Sequence, residues 1–97
     1  MAIADYTEVA KLMPDFTYAY ANIALQHCRK GDFKTALGFY DQALKVNPKS
    51  AYAMYGRGVA LSRLGKLDVA REQIKAANAA DPEMAHVYKQ TGMEPSL

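Results

Sequence analysis

Apolar positions along this chain recur three and four residues apart in short runs, and each run is closed by a glycine or a proline. Between Asp15 and Lys30, the residues Phe16, Tyr20, Ile23, Ala24 and His27 fall on one side of a helical period, which predicts an amphipathic helix. Lys30-Gly31-Asp32 ends it. Gly31 can take the left-handed conformation that closes a helix, and the Asp32 carboxylate can cap the next one. A second stripe, Phe33, Ala36, Leu37, Tyr40, Ala43 and Leu44, runs to Asn47-Pro48, where the proline ring pushes the preceding residue out of the helical region. The alternation then repeats. Ala53, Met54, Gly58 and Leu61 precede a break at Gly65, and Leu67, Ala70, Ile74 and Ala77 precede Asp81-Pro82. Upstream, Ile3, Tyr6, Val9, Ala10 and Met13 predict one more helix over 2–13. No β-branched alternating run points to a strand, so the expected class is all-α.

The punctuation is periodic. Pro14, Pro48 and Pro82 stand 34 residues apart, as do Gly31 and Gly65. The same offset pairs Ala2 with Ala36 and Ala70, Tyr18 with Tyr52, Arg29 with Arg63, Ala43 with Ala77, and Gly58 with Gly92. Such a period describes stacked helix–turn–helix units, none of which buries its apolar face without a neighbour.

Composition narrows the picture without changing it. The 97 residues make one domain, and 51% apolar with 23% charged residues excludes disorder. Twelve Lys and Arg against ten Asp and Glu leave +2, with no run of like charge to make a nucleic-acid arm. One cysteine, Cys28, makes neither an internal disulfide nor a thiolate metal site. No apolar run is long enough for membrane insertion, and the first fifteen residues lack signal-peptide character. The compartment stays open, with cytoplasmic as the default.

The residues that repeat resemble the tetratricopeptide repeat family. Its pattern of aromatic, Leu-Gly, Tyr, Gly, Ala, aromatic, Ala and Pro is met over 17–50 by Tyr20, Ile23, Ala24, His27, Gly31, Phe33, Ala36, Tyr40, Ala43 and Pro48. Over 51–84 it is met by Met54, Arg57, Gly58, Leu61, Gly65, Leu67, Ala70, Ile74, Ala77 and Pro82. His27 and Arg57 depart from the family's more usual Tyr and Leu. Residues 2–14 fit the second helix of a preceding repeat and 85–92 the first helix of a following one, here a capping helix. The resemblance implies an α-solenoid of antiparallel helix pairs, wound as a right-handed superhelix. Alanines and glycines at Ala24, Gly58, Ala36, Ala43, Ala70 and Ala77 are then the places where helices approach closely.

Catalytic and metal constellations are not evident. His27 and Cys28 are adjacent, and neighbours on a helix point about 100° apart, so they do not converge on one ion. His27 reads as a packed core histidine, and His86 has no His or Cys partner near it in the sequence. Gly56-Arg57-Gly58 falls inside a helix and is no phosphate loop. Asp41, Asp68 and Glu72 read as a solvated outer face. Arg57 is expected to lay its stem along a seam and reach Asp81 or Asp41. No enzyme and no cofactor are expected.

A solenoid of this kind works through a surface. The resemblance places the second, fifth, ninth, twelfth and thirteenth residue of each repeat on a concave wall of first helices. Those are Tyr18, Ala21, Leu25, Cys28 and Arg29, then Tyr52, Tyr55, Val59, Ser62 and Arg63, with His86 and Lys89 continuing the series. Tyr18, Leu25, Arg29, Tyr52, Tyr55, Val59, Arg63 and Lys89 are the candidate peptide-binding residues, because Tyr and Arg dominate binding hot spots. The competing reading is that tyrosines such as Tyr18 and Tyr55 close gaps between repeats. The family's clamp for chaperone tails needs Lys at the fifth and Asn at the ninth place; here Ala21, Leu25, Tyr55 and Val59 stand there. A protein or peptide with an apolar segment and some acidic character suits the wall better.

The ends suggest an alternative. The chain enters its repeat pattern halfway, as a truncated array would, and Gly92 and Pro95 stop the last helix early, as a native C-terminus would. Uncovered apolar stripes on the terminal helices, bearing Ile3 and Tyr6 at one end and Val87 and Tyr88 at the other, would then make a self-assembly module, a possible homodimer.

The close-packing assignment is testable at Ala70. Ala70→Leu inserts methylenes into a helix seam and should lower stability by roughly 1–3 kcal/mol in a denaturant titration; an unchanged midpoint would put residue 70 on the surface.

Overall fold

The computed structural model describes residues 16–96, so the helix expected over 2–13, with Ile3 and Tyr6, lies outside the described residues. Five helices follow in order: α1 (Phe16–Arg29), α2 (Phe33–Val46), α3 (Ala51–Arg63), α4 (Leu67–Ala80) and α5 (Met84–Thr91). Among the described residues there is no strand. The protein is an all-α array in which α1 packs on α2, α3 on α4, and α5 returns against both α3 and α4.

The 34-residue period is visible in the turns themselves. α2 and α4 begin and end 34 residues apart. At the end of α1, the Gly31 N–H reaches the Cys28 carbonyl at 2.9 Å and the Asp32 N–H reaches that of His27 at 2.9 Å. The second unit repeats the pair, Gly65 N–H to Ser62 and Lys66 N–H to Leu61. Each is the pair of hydrogen bonds that satisfies the orphan carbonyls of a helix end, and each turn places a glycine at positive φ, 84° at Gly31 and 83° at Gly65. The second helices stop alike. Asn47 Oδ1 accepts the N–H of Lys49, and Asp81 Oδ1, one period later, accepts that of Glu83, each at 3.1 Å. Starts are less uniform. Asp32 caps α2 through Thr35, which holds its carboxyl below the usual range, and Ser50 caps α3 through Ala53, whereas Lys66 before α4 offers no side-chain cap.

Small residues lie where the helices meet. Ala21, Ala24, Ala36, Ala43, Ala53, Ala60, Ala70 and Ala77 are all fully buried. Gly58 belongs with them, since a methyl added there would run into Ile74. Between these seams sit two clusters. One gathers Cys28 and Tyr40 with the α1–α3 alanines, and the other gathers Leu25, Tyr55, Val59, Ile74, Ala77 and Tyr88. Outside them Arg57 spans a seam: its Nε donates to Asp41 Oδ1 at 2.7 Å and its Nη1 to Gln73 Oε1 at 2.8 Å, so Asp41, not Asp81, is the partner. Asp68 and Glu72 are exposed, in keeping with an outer face. His27 is only half-buried, its ring stacked on Phe39 at 5.4 Å and its Nδ1 3.7 Å from the Asp32 carboxylate.

Three helices converge on one polar contact inside the core. Tyr40 from α2 and Tyr88 from α5 are both fully buried, and their hydroxyls lie 3.1 Å apart. The Tyr88 hydroxyl also donates to the Tyr52 carbonyl of α3 at 2.8 Å. Burial raises both phenols well above their ordinary values, so they stay neutral donors. Gly56 makes the room: a methyl group there would overlap the Tyr40 ring and the Tyr88 hydroxyl.

Two glycines inside helices should therefore respond in opposite directions. A Gly-to-Ala change within a helix gains about 0.5–1 kcal/mol where space allows. Gly38→Ala on the exposed side of α2 should gain it, because its methyl would meet nothing. Gly56→Ala should instead lose roughly 1–3 kcal/mol to overpacking. Paired urea titrations check both, and a stabilised Gly56→Ala would show that the two tyrosines can withdraw freely.

Candidate functional site

The side chains that carry the candidate site come from three consecutive first helices, α1, α3 and α5. They separate into an exposed set and a floor. Tyr18 is 62% exposed, and Arg29, Arg63, His86 and Lys89 are exposed as well. Tyr52 is half-buried. Leu25, Tyr55, Val59, Ala21, Cys28 and Ser62 are buried, Val59 and Ala21 completely. Of the eight candidate residues, then, Tyr18, Arg29, Arg63 and Lys89 stand where a partner can touch them in this conformation. Leu25, Tyr55 and Val59 lie in the second core cluster, packed with Ile74 and Tyr88.

The aromatic side chains are ordered by one another. Tyr18 stacks on Tyr52 with centroids 5.0 Å apart and planes 18° from parallel. Tyr52 leans on Tyr88 at 5.2 Å, and Tyr88 on Tyr55 at 5.1 Å. The Tyr52 hydroxyl donates to Asn22 Oδ1 at 2.6 Å, which fixes the ring on which Tyr18 rests. Tyr55 and Tyr88 fill the space between units, whereas Tyr18 leaves its outer face exposed. Asn22 is a support that the sequence pattern did not single out, since its partner Tyr52 is on another helix.

The other end of the wall is basic. Arg63 closes α3, its guanidinium 6.0 Å above the Phe33 ring. Its Nη2 donates to the Glu94 main-chain carbonyl at 2.9 Å, and its Nε shares that carbonyl at 3.3 Å. Ser62, beside it, accepts the Ser96 N–H at 2.8 Å. Segment 93–96 therefore lies across the end of α3. Gly92 shares its register position with the mid-helix Gly58, yet it stops the last helix, as the sequence leads one to expect. α5 spans Met84–Thr91, not 85–92, and Gly92 caps it at φ 80° with the same two-bond turn that Gly31 and Gly65 make.

Chemistry is sparse at this surface. Burial pushes the Cys28 thiol up to about 12, against smaller opposing effects of the Tyr40 hydroxyl and Arg63. Tyr55 is raised too, by burial first and then by the Glu94 carboxylate. Among the described residues, no three His, Cys, Asp or Glu side chains are placed to hold a metal, and no helix is long and apolar enough to cross a membrane.

A paired-helix unit repeated at 34 residues, with glycine turns and alanine seams in register, matches a known pattern, and the family model for the tetratricopeptide repeat covers residues 27–85. The chain belongs to the tetratricopeptide repeat family. A tetratricopeptide domain is a protein–protein interaction module and in general a non-catalytic scaffold. Over 92 residues this one is 33% identical to the photosystem I assembly protein Ycf3 of Cyanophora paradoxa, covering 92% of this chain and 53% of that protein. It is 33% identical over 79 residues to the FK506-binding protein-like of Rattus norvegicus, covering 81% and 23%. To anaphase-promoting complex subunit 3 of Schizosaccharomyces pombe it is 29% identical over 83 residues, covering 86% and 12%. The tetratricopeptide chain thus spans about half or less of the length of these relatives.

The buried thiol supplies a probe of this wall. Burial raises the Cys28 thiol to about 12, so it is almost wholly protonated at pH 8, and only the thiolate reacts. The folded chain should resist a thiol reagent at about pH 8 until α1 and α3 separate, and should then label at the rate of a denatured control. Immediate labelling of the folded chain would place Cys28 on an open surface.

Proposed function

We propose that this domain holds an extended segment of another protein along the wall made by α1, α3 and α5. The observation that carries the proposal is the Tyr18–Tyr52 stack. An exposed tyrosine is ordinarily free to rotate, whereas this ring is already held against a second one that is itself hydrogen-bonded to Asn22. A side chain ordered in advance loses less entropy on binding, which is why rigid aromatic surfaces make effective contacts.

The wall has a direction. Tyr18 and Tyr52 open their helices, and Arg29 and Arg63 close them eleven residues later, so the aromatic and basic ends are about 16 Å apart along the helix axis. That length matches roughly five residues of extended chain. The segment we infer places an apolar or aromatic side chain on Tyr18 and an acidic or carbonyl-rich portion toward Arg29 and Arg63, with Lys89, at the fifth place of its unit, nearer the aromatic end. Leu25, Tyr55 and Val59 act as the floor that sets the shape of the wall. That the relatives include a photosystem I assembly protein and a subunit of the anaphase-promoting complex agrees with a role in bringing proteins together.

Because Tyr55 is buried, its removal would disturb the core, so the test uses exposed positions. Peptides selected from a displayed random library against the wild-type domain should be enriched in apolar and acidic residues. Tyr18→Ala with Arg29→Ala should weaken their binding by tenfold or more while helical circular dichroism is unchanged, since anchors of this kind contribute about 2 kcal/mol. Equal binding by the double variant would remove the wall from consideration.

A further inference from the structure

The segment that follows α5 already sits on this wall. Met93 and Pro95 are half-buried and alternate with the exposed Glu94 and Ser96, the pattern of an extended chain laid on a surface. Met93 packs against both core clusters. Between the two inward residues, the Glu94 carbonyl receives both Arg63 donors, and the Ser96 N–H reaches Ser62 Oγ. Main-chain hydrogen bonds at alternate sites, with apolar side chains turned inward between them, are how an extended peptide is held by a receptor. The Glu94 carboxylate lies near enough to Tyr55 to raise its pKa further.

Gly92 is the reason the segment is there. In the two preceding units the first helix continues to its thirteenth place, and Gly31 or Gly65 turns the chain at the fifteenth; in the third, Gly92 makes that same turn at the eighth place. Met93 would be the ninth-place residue of a continued helix, the counterpart of Leu25 and Val59. The early turn instead carries residues 93–96 back to Ser62 and Arg63, the twelfth- and thirteenth-place residues of the unit before.

We propose that residues 93–96 are an intramolecular occupant of the basic half of the wall, displaced when a partner binds, and that the partner is an extended peptide of like chemistry: two apolar side chains flanking one residue whose main-chain carbonyl Arg63 can take. This rests on the wall being the binding surface. A segment joined directly to α5 acts at an effective concentration of roughly millimolar, so even weak contacts keep it seated. Partner affinity is then lowered in proportion to the fraction of molecules in which the wall is free. The Tyr18–Tyr52 end, which the segment does not cover, remains open for first contact.

The test uses the full chain and a fluorescent peptide, Gly-Met-Glu-Pro-Ser-Leu, copied from residues 92–97. Two variants loosen the segment by different routes. Met93→Ser removes its apolar anchor, and Gly92→Ala penalises the left-handed turn by about tenfold without touching either cluster. Both should bind the peptide about tenfold more tightly than wild type by fluorescence anisotropy, and adding Arg63→Ala to either should cancel the gain. Equal binding by wild type and both variants, with helical circular dichroism intact, overturns the proposal. Should both variants lose their helical signal, hydrogen exchange of the Ser96 amide in the wild-type chain decides, since protection supports the seated segment and exchange at the free-peptide rate refutes it. Library-selected peptides that need Tyr18 and Arg29 yet bind wild type and both loosened variants alike would leave the wall standing and remove its intramolecular occupant.

Discussion

The hydroxyl contact between Tyr40 and Tyr88 is the constraint on which the rest of the array depends. It ties the second helix of one unit to the first helix two units on, and through the Tyr52 carbonyl it includes the helix between them. A buried phenol that loses its partner would cost roughly 1–3 kcal/mol, so Tyr40 depends on Tyr88 being in place, and Tyr88 in turn is held by the Tyr52 carbonyl. The contact also demands a specific absence of bulk, which Gly56 supplies. Stacked helical units otherwise hold each other by apolar burial, which is tolerant of small slides and rotations. A directed hydrogen bond in the middle of that burial sets one register between α2, α3 and α5.

Much of the architecture is legible in the sequence because its causes are local. Proline after Asn47 and Asp81, glycine at 31 and 65, and alanine on one face of each second helix act within a few residues of where they stand, and they recur at one interval. The Arg57 partner could be narrowed to two carboxylates by the same logic. Other features depend on residues far apart in the chain. Gly56 looks like an ordinary weak point in a helix until Tyr40 and Tyr88 arrive from two other helices. Gly92 shares a register position with Gly58 but behaves like Gly31; Pro95 three residues on is the local sign that the helix stops there, whereas the path of residues 93–96 back to Ser62 and Arg63 is not written locally.

The candidate wall divides along the same line. Family resemblance orders the residues along each first helix, and the positions it marks are indeed on the three helices that stand side by side. It says nothing of depth. Leu25, Tyr55 and Val59 are buried in a core cluster to which α5 contributes Tyr88, whereas Tyr18, one period upstream of Tyr52, keeps most of its surface. The repeat pattern alone treats Tyr18 and Tyr52 as equivalents. Tyr52 lies between the rings of Tyr18 and Tyr88, a property of the assembled array and not of either unit.

The chain of ring contacts from Tyr18 through Tyr52 and Tyr88 to Tyr55 has an optical consequence. The protein contains seven tyrosines and no tryptophan, so its near-ultraviolet absorption and emission belong mainly to phenol rings. Rings about 5 Å apart, as these are, exchange excitation faster than they emit, so light absorbed at the exposed Tyr18 is shared with the buried Tyr88 and is depolarised on the way. A change at either end of the row therefore alters the emission of the whole row. The domain carries, without any label, a built-in antenna that runs from its surface to its core.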